Sequence, residues 1–238
     1  MTTIAARLQA VRDRIRAAAQ TAERPPESIG LIAVSKTFSP AAIAEACEAG
    51  QLAFGENYLQ EAAAKIAALA ESRGHRPAAQ RIQWHFIGPI QSNKTRQIAE
   101  LFDWVHSVDR LKIAQRLADA RPPGLAPLQI CIQVNVSGEA SKSGVPPEQA
   151  LELARPLSQL PRIRLRGLMG IPEPTGDPVA QRSRFRQIRE LKDDIVAGGI
   201  ALDTLSMGMS DDLESAIAEG ATLVRIGRAI FGDRPRQA

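Results

Sequence analysis

The stretch Gly30–Gly50 reads GLIAVSKTFSPAAIAEACEAG and contains the signals of one strand and one helix. Its opening run, Gly30–Ser35, is almost entirely apolar, which is typical of a strand buried on both faces of a parallel sheet. Ser39 and Pro40 then offer a helix N-cap and a proline at the first helical position, and Gly50 offers the stop. The stretch is therefore predicted to form a β-strand followed by an α-helix.

The same alternation continues along the chain, because seven further apolar runs are separated by helix-length segments. An amphipathic helix at about 4–20 precedes them, and the barrel is expected over about 29–232. Eight such units predict a closed (β/α)8 barrel of the TIM type. An open doubly wound sheet is the alternative, but neither G-x-G-x-x-G nor G-x-x-x-x-G-K-[ST] occurs. The further runs are Leu52–Gly55, Ile82–Ile87, Trp104–Val108, Leu128–Val136, Ile163–Met169, Thr204–Met207 and Thr222–Ile226.

Composition indicates one globular α/β domain over residues 1–238. Hydrophobic residues make up 44% and charged residues 24%, which excludes a disordered or fibrous chain. The densest basic stretch contains four arginines at helical spacing and is expected to be a solvated helix face. Nucleic acid is not an expected partner, because only 4% of the chain is aromatic and stacking side chains are missing. The four arginines are Arg182, Arg184, Arg186 and Arg189.

The sequence lacks the signals of a secreted protein, of a membrane span and of a metal site. Cys47 and Cys131 lack metal-site spacing and are expected to be buried thiols of a cytoplasmic protein. The N-terminus lacks the apolar core of a signal peptide, and no apolar run approaches the 18 residues of a membrane span. His75, His85 and His106 do not share the spacing of a zinc site, so no metal is expected.

Lys36 is the sharpest candidate for chemistry. In a (β/α)8 barrel the reactive groups lie at the carboxyl ends of the strands, and Lys36 follows the first apolar strand. Desolvation there would lower its pKa and free the amine to form a Schiff base with an aldehyde. The alternative is a strand-end lysine whose amine extends to solvent.

An anion site is expected after the last two strands. Loops at these positions commonly hold phosphate in this architecture, and Gly227 lets backbone N–H groups approach it. The alternative is a turn glycine and a helix N-cap serine at Ser210. Because Asp211 and Asp212 would repel a dianion, phosphate is expected on the Ser210 hydroxyl and the Gly227–Arg228 amides.

Six motifs in this order resemble the pyridoxal phosphate homeostasis proteins, whose fold is the alanine-racemase-like N-terminal barrel (fold type III). The resemblance spans about residues 29–232, and the motifs stand at the predicted strand ends. They are Gly30–Lys36 (GLIAVSK), Phe54–Tyr58 (FGENY), Trp84–Lys94 (WHFIGPIQSNK), Gly167–Gly170 (GLMG), Leu205–Asp212 (LSMGMSDD) and Val224–Gly232 (VRIGRAIFG).

The resemblance implies a site for pyridoxal 5′-phosphate (PLP). It implies that Lys36 carries PLP as an internal aldimine, that Ser210 and the Gly227–Arg228 backbone hold the phosphate, and that Arg225 faces the pyridine nitrogen. The family usually has a small hydroxyl residue where this chain has Arg228, which removes a side-chain contact to phosphate. The remaining residues implied to line the pocket are Asn57, His85, Ser206 and Met207.

The resemblance also implies a role in PLP homeostasis, as a buffer or carrier that affects vitamin B6 and amino-acid metabolism. Implied partners are PLP and, as acceptors, PLP-dependent apoenzymes. Racemases of this fold take a second base, a tyrosine, from an added C-terminal domain across a dimer. Only six residues follow Gly232, and Tyr58 is the sole tyrosine, so a monomer without catalysis is expected. The alternatives are a PLP-dependent amino-acid racemase and a cofactor-free aldolase using Lys36.

Overall fold

The protein forms a closed barrel of parallel strands in a computed structural model that describes residues 2–73, 81–137 and 143–233. Neighbouring strands in the barrel are neighbours in the chain, and the last strand pairs with the first. The predicted (β/α)8 barrel is confirmed. Its strands are β1 Gly30–Val34, β2 Ala53–Glu56, β3 Gln83–Phe86, β4 Trp104–Val108, β5 Leu128–Val134, β6 Ile163–Gly170, β7 Thr204–Ser206 and β8 Leu223–Ile226.

Helices connect the strands and surround the barrel. The first helix precedes β1, and the last follows β8. None of the helices within the described ranges is long and apolar enough to cross a membrane. The helices are α1 Ile4–Thr21, α2 Pro40–Glu48, α3 Leu59–Arg73, α4 Thr95–Leu101, α5 Leu111–Ala120, α6 Pro147–Leu157, α7 Pro178–Ala197, α8 Leu213–Ala218 and α9 Arg228–Phe231.

The boundaries of α2 follow from its local signals, whereas the start of α8 does not. The Ser39 hydroxyl accepts the Ala42 N–H, and Gly50 adopts φ +81° just after α2, as predicted. Ser210 is not the N-cap of α8, because that helix begins only at Leu213 and its N-cap is Asp212. The carboxylate of the preceding residue, Asp212, turns back and accepts the Met209 N–H at 2.6 Å. The turn that Ser210 occupies is therefore closed by the Asp212 side chain, together with the Asp212 N–H, which donates to the Met209 carbonyl at 3.3 Å.

The apolar core has two layers. The larger layer lies between the strands and the surrounding helices and includes the apolar stripe of α1. A smaller cluster of Trp104, Cys131 and Met169 is buried separately from it. Both thiols are buried as expected, Cys47 in the larger layer and Cys131 in the smaller one.

Three of the four arginines on α7 do more than face solvent. Arg182, Arg186 and Arg189 converge on the Glu219 carboxylate at 2.8, 3.1 and 3.2 Å, and that carboxylate is fully buried. Burial alone would raise the pKa of Glu219, but hydrogen bonds from Arg186 and Arg182 outweigh it and hold the pKa below its ordinary value. The expectation of a merely solvated face is wrong here, because these side chains fasten α7 to the end of α8.

Candidate functional site

A cavity of about 520 Å³ contains Lys36 and Arg225 among its lining residues, a volume suited to a small-molecule ligand. The lining residues come from the carboxyl-terminal parts of β1 and β8 and from the segments that follow β1, β2, β3, β6, β7 and β8, so the cavity lies at the carboxyl end of the barrel. Six of the nine predicted site residues line it together. They are Lys36, Asn57, Ser210, Arg225, Gly227 and Arg228.

Lys36 lies half-buried in a tight turn two residues beyond β1. The turn is anchored before and after the lysine: Ser35 N–H donates to the Gly55 carbonyl, and Thr37 N–H donates to the Glu61 carboxylate. Thr37 adopts φ +70°, which is uncommon for a residue with a branched side chain. Such a conformation persists only where its surroundings fix it, and the two anchors do so here.

A buried acid–base cluster of Ser35, Glu56, Glu61 and Lys65 supports this turn. The Lys65 ammonium donates to the Ser35 carbonyl at 2.8 Å and to the Glu56 and Glu61 carboxylates at 2.9 and 2.5 Å. Burial raises the pKa of Glu56, although hydrogen bonds from the Ser35 hydroxyl and Lys65 partly offset it. The cluster was not predicted, because Lys65 has the sequence signature of an ordinary exposed helix lysine.

The predicted anion-binding side combines Ser210, Gly227 and Arg228. A side chain at Gly227 would bring a Cβ within 3.2 Å of the Val34 carbonyl oxygen, so the backbone passes close to β1. Arg228 is exposed and forms a bidentate ion pair with Asp211 at 2.9 and 3.0 Å. The repulsion expected from Asp211 is therefore reduced by an arginine at the same rim.

Arg225 is buried and connects the cavity with the barrel interior. Its Nη1 donates to the Ser206 hydroxyl at 2.8 Å, and its Nη2 donates to the Gly170 carbonyl at 3.0 Å. Burial lowers the pKa of Arg225 to about 10, so its guanidinium stays charged at neutral pH. The orientation of this cation is set by neighbours on two different strands, β6 and β7.

A chain of hydrogen bonds continues from Ser206 through two buried histidines. His106 Nδ1 lies 2.8 Å from Ser206 Oγ, and His106 Nε2 lies 2.9 Å from His85 Nδ1. His85 Nε2 then lies 3.0 Å from Gln83 Oε1. Burial lowers the pKa of His85 to about 3 and that of His106 well below its ordinary value, so both rings are neutral.

The Gln83 oxygen sets the direction of donation along this chain. An amide oxygen only accepts, so neutral His85 carries its proton on Nε2 and accepts on Nδ1 from the Nε2–H of His106. His106 Nδ1 then accepts from the Ser206 hydroxyl, whose oxygen accepts from Arg225. The tautomers of both histidines are therefore fixed, and every link points away from the cavity.

Three predicted lining residues are placed elsewhere. His85 and Ser206 lie beneath the cavity in the hydrogen-bond chain, where both side chains are buried. Met207 is fully buried in the larger core layer, together with Leu205. None of the three is among the residues that line the cavity. Alternate residues of a strand face opposite sides, so Met207 points outward where Ser206 takes the inward position. His75 lies outside the described residues.

Comparison with known proteins identifies the family. The family model described as alanine racemase, N-terminal domain, matches residues 6–235. The pyridoxal phosphate homeostasis protein of Pseudomonas aeruginosa is 61% identical over 98% of this chain and 97% of its own length. The chain belongs to the pyridoxal phosphate homeostasis proteins. The member from Escherichia coli K12 is 52% identical over 98% of both chains.

Solved structures of similar proteins agree with this assignment. PipY of Synechococcus elongatus, solved with PLP bound, is 38% identical with a TM-score of 0.82 over 97% of this chain and all of that one. Alanine racemase of Corynebacterium glutamicum is 17% identical with a TM-score of 0.65, over 96% of this chain and 62% of that one. The racemase likeness shows a shared barrel fold and nothing about activity.

Proposed function

We propose that this protein binds PLP covalently through Lys36 and serves as an intracellular buffer or carrier of it. The observation that carries the proposal is the shared cavity, in which Lys36 lies with Arg225 and the anion-binding groups Ser210 and Gly227. An aldehyde with a phosphate needs both a nucleophilic amine and an anion site. The name shared by its relatives and the PLP-bound structure of PipY support the choice of aldehyde.

The residues of the cavity fit this cofactor chemically. When bound, PLP supplies an aldehyde carbon that a lysine amine can attack. Ser210 and the backbone at Gly227 would hold the phosphate, and Arg225 would present a donor that has no proton-accepting atom. Asn57 adds an amide oxygen that is buried in the wall without a hydrogen-bond partner, as expected of a group that awaits a ligand donor.

The proposal includes a carrier role without catalytic turnover, in a monomer that passes PLP to apoenzymes in the cytoplasm. Its relatives are named as homeostasis proteins and not as enzymes. The only tyrosine, Tyr58, is 56% exposed and is not a lining residue of the cavity. Two buried thiols, with the pKa of Cys131 raised to about 12 by burial, suit a reducing compartment.

An absorption titration with PLP tests the proposal. Wild-type protein should develop a visible Schiff-base band that borohydride bleaches, and Lys36→Ala should lose it while retaining weaker binding through the phosphate contacts. Lys112→Ala, which removes an exposed lysine from α5, should behave like the wild type. A wild type without the band after incubation with PLP would refute the proposal, and borohydride trapping of carbonyl substrates on cofactor-free Lys36 would favour the aldolase alternative.

A further inference from the structure

Two arginines of α1 donate hydrogen bonds to backbone carbonyls at the rim of the cavity. Arg7 Nε donates to the Ile230 carbonyl at 2.8 Å, and its Nη2 lies 3.4 Å from the Phe231 carbonyl. Arg14 Nη2 donates to the Ser210 carbonyl at 3.1 Å. Because seven residues are almost two full helical turns, both arginines project from the same face of α1.

These carbonyls belong to both halves of the proposed phosphate site. Ser210 is itself a lining residue on the β7 side. On the β8 side, Ile230 and Phe231 end α9, the short helix that begins immediately after Gly227. The next residue, Gly232, again lines the cavity. One helix therefore holds the two segments that would enclose the phosphate.

The helix α1 is itself well anchored, so it can act as a fixed support. Its apolar stripe, Ile4, Leu8, Val11 and Ile15, is buried in the larger core layer. Arg14 makes a second contact in the same region, an ion pair with Glu214 of α8 at 2.8 Å. A planar guanidinium with several fixed donors restricts the position of a carbonyl better than an ammonium does.

We infer that Arg7 and Arg14 are positioning residues that set the phosphate-binding geometry from behind the cavity. This inference rests on the proposed function, because it concerns the phosphate of the same ligand. Neither side chain is among the residues that line the cavity, so each acts through the backbone that it holds. Loss of these contacts should weaken phosphate binding and leave the reaction of Lys36 with an aldehyde unaffected.

The same helix supplies a matched control. Arg12 also donates to a backbone carbonyl, but that carbonyl belongs to Ala49 at the end of α2, away from the proposed phosphate site. Arg16 is paired with Asp13 of its own helix. An Arg12→Gln/Arg16→Gln variant therefore removes the same positive charge from α1 as Arg7→Gln/Arg14→Gln, and separates a positioning effect from long-range attraction of an anion.

The experiment compares the affinities of each variant for PLP and for pyridoxal, which lacks the phosphate, by absorption titration. Arg7→Gln/Arg14→Gln should lose about tenfold in PLP affinity, as expected for two or three modest hydrogen bonds, and should bind pyridoxal within about twofold of the wild type. The control variant should bind both ligands like the wild type. Arg14→Lys, which keeps the charge and one donor, should recover part of the loss relative to Arg14→Gln.

Three results from the variants would overturn the inference: unchanged PLP affinity, an equal loss for both ligands, or the same loss in the control variant. If the double variant does not fold, the PLP and pyridoxal affinities are compared for Arg14→Gln alone, since that side chain is 40% exposed. A wild type that binds pyridoxal and PLP equally, with no contribution from phosphate, also refutes it. A wild type that takes up neither ligand refutes the proposed function instead, so the two failures are distinguishable.

Discussion

Ser206 links the cation of the cavity to the buried histidines. Its hydroxyl accepts from Arg225 and donates to His106, so Ser206→Ala leaves a buried donor and a buried acceptor unpaired. We expect this variant to lose about 1–3 kcal/mol of unfolding free energy, measured by urea denaturation. Ser206→Thr, which keeps the hydroxyl, should lose less. An alanine variant as stable as the wild type would contradict the hydrogen-bond chain.

His85 should make the protein less stable in mild acid. Its pKa in the folded protein is lowered to about 3, whereas the unfolded chain has a histidine pKa near 6.5. As the pH falls, the unfolded state therefore takes up a proton on His85 before the folded state does. The contribution of His85 to the free energy of unfolding is complete above pH 6.5 and declines as the pH falls toward 3. The loss at pH 5 amounts to about 2 kcal/mol for this histidine.

The pH dependence of a His85→Gln variant isolates this effect. Glu56 and Asp212, whose pKa values are raised by burial, act in the opposite direction in both proteins and cancel in the comparison. The variant should be less stable than the wild type at pH 7.5. Between pH 7.5 and pH 5, however, its free energy of unfolding should fall by about 2 kcal/mol less than that of the wild type. Parallel stability curves for the two proteins would show that His85 is not held neutral.

Single residues show where sequence reasoning about the site succeeded and failed. Lys36, Ser210 and Gly227 could be placed because strand ends converge in a barrel and all three follow strands. Met207 lies in the larger core layer, and its alternation with Ser206 along the sequence is the signal for that position. His106 was missed as a site neighbour, yet its position two residues after Trp104 puts both side chains on the same face of β4. Long-range pairings such as Glu56 with Lys65 have no local signature.

Glu219 connects two helices, because its carboxylate at the end of α8 forms ion pairs with three arginines of α7. Glu219→Gln replaces a buried carboxylate with an amide opposite three arginines, so it should lower the midpoint of thermal unfolding by about 2–4 °C. The loss is modest because the arginine side chains are 37–50% exposed and screened by water. Glu190→Gln, an exposed residue of α7, is the control and should leave the midpoint unchanged. Equal midpoints for both variants would refute the fastening role.

The sequence predicts the order of the strands and helices well and their boundaries less well. Some βα units have their own start and stop signals, such as Ser39, Pro40 and Gly50 around α2, and the eight repeats of strand and helix then favour a closed barrel. The start of α8 is harder to place, because three polar residues precede it and any of them could cap a helix. Tertiary contacts decide such cases: Asp212 satisfies the Met209 N–H instead.

We expect the whole molecule to catalyse no amino-acid racemisation. The cavity lacks tyrosine among its lining residues, and the neutral histidines are buried beneath it. Incubation of the PLP-loaded protein with alanine in heavy water, followed by chiral chromatography, should show no inversion and no deuterium at Cα. Turnover with inversion at about 1 s⁻¹ or faster, abolished by Lys36→Ala, would contradict the carrier role.

The location of the covalent adduct is the most direct test that Lys36 binds PLP. The PLP-loaded protein is reduced with borohydride, digested and mapped by mass spectrometry. We expect one modified peptide with the adduct on Lys36, the half-buried lysine that lines the cavity. An adduct on Lys65, Lys94 or Lys112 with Lys36 unmodified would contradict it.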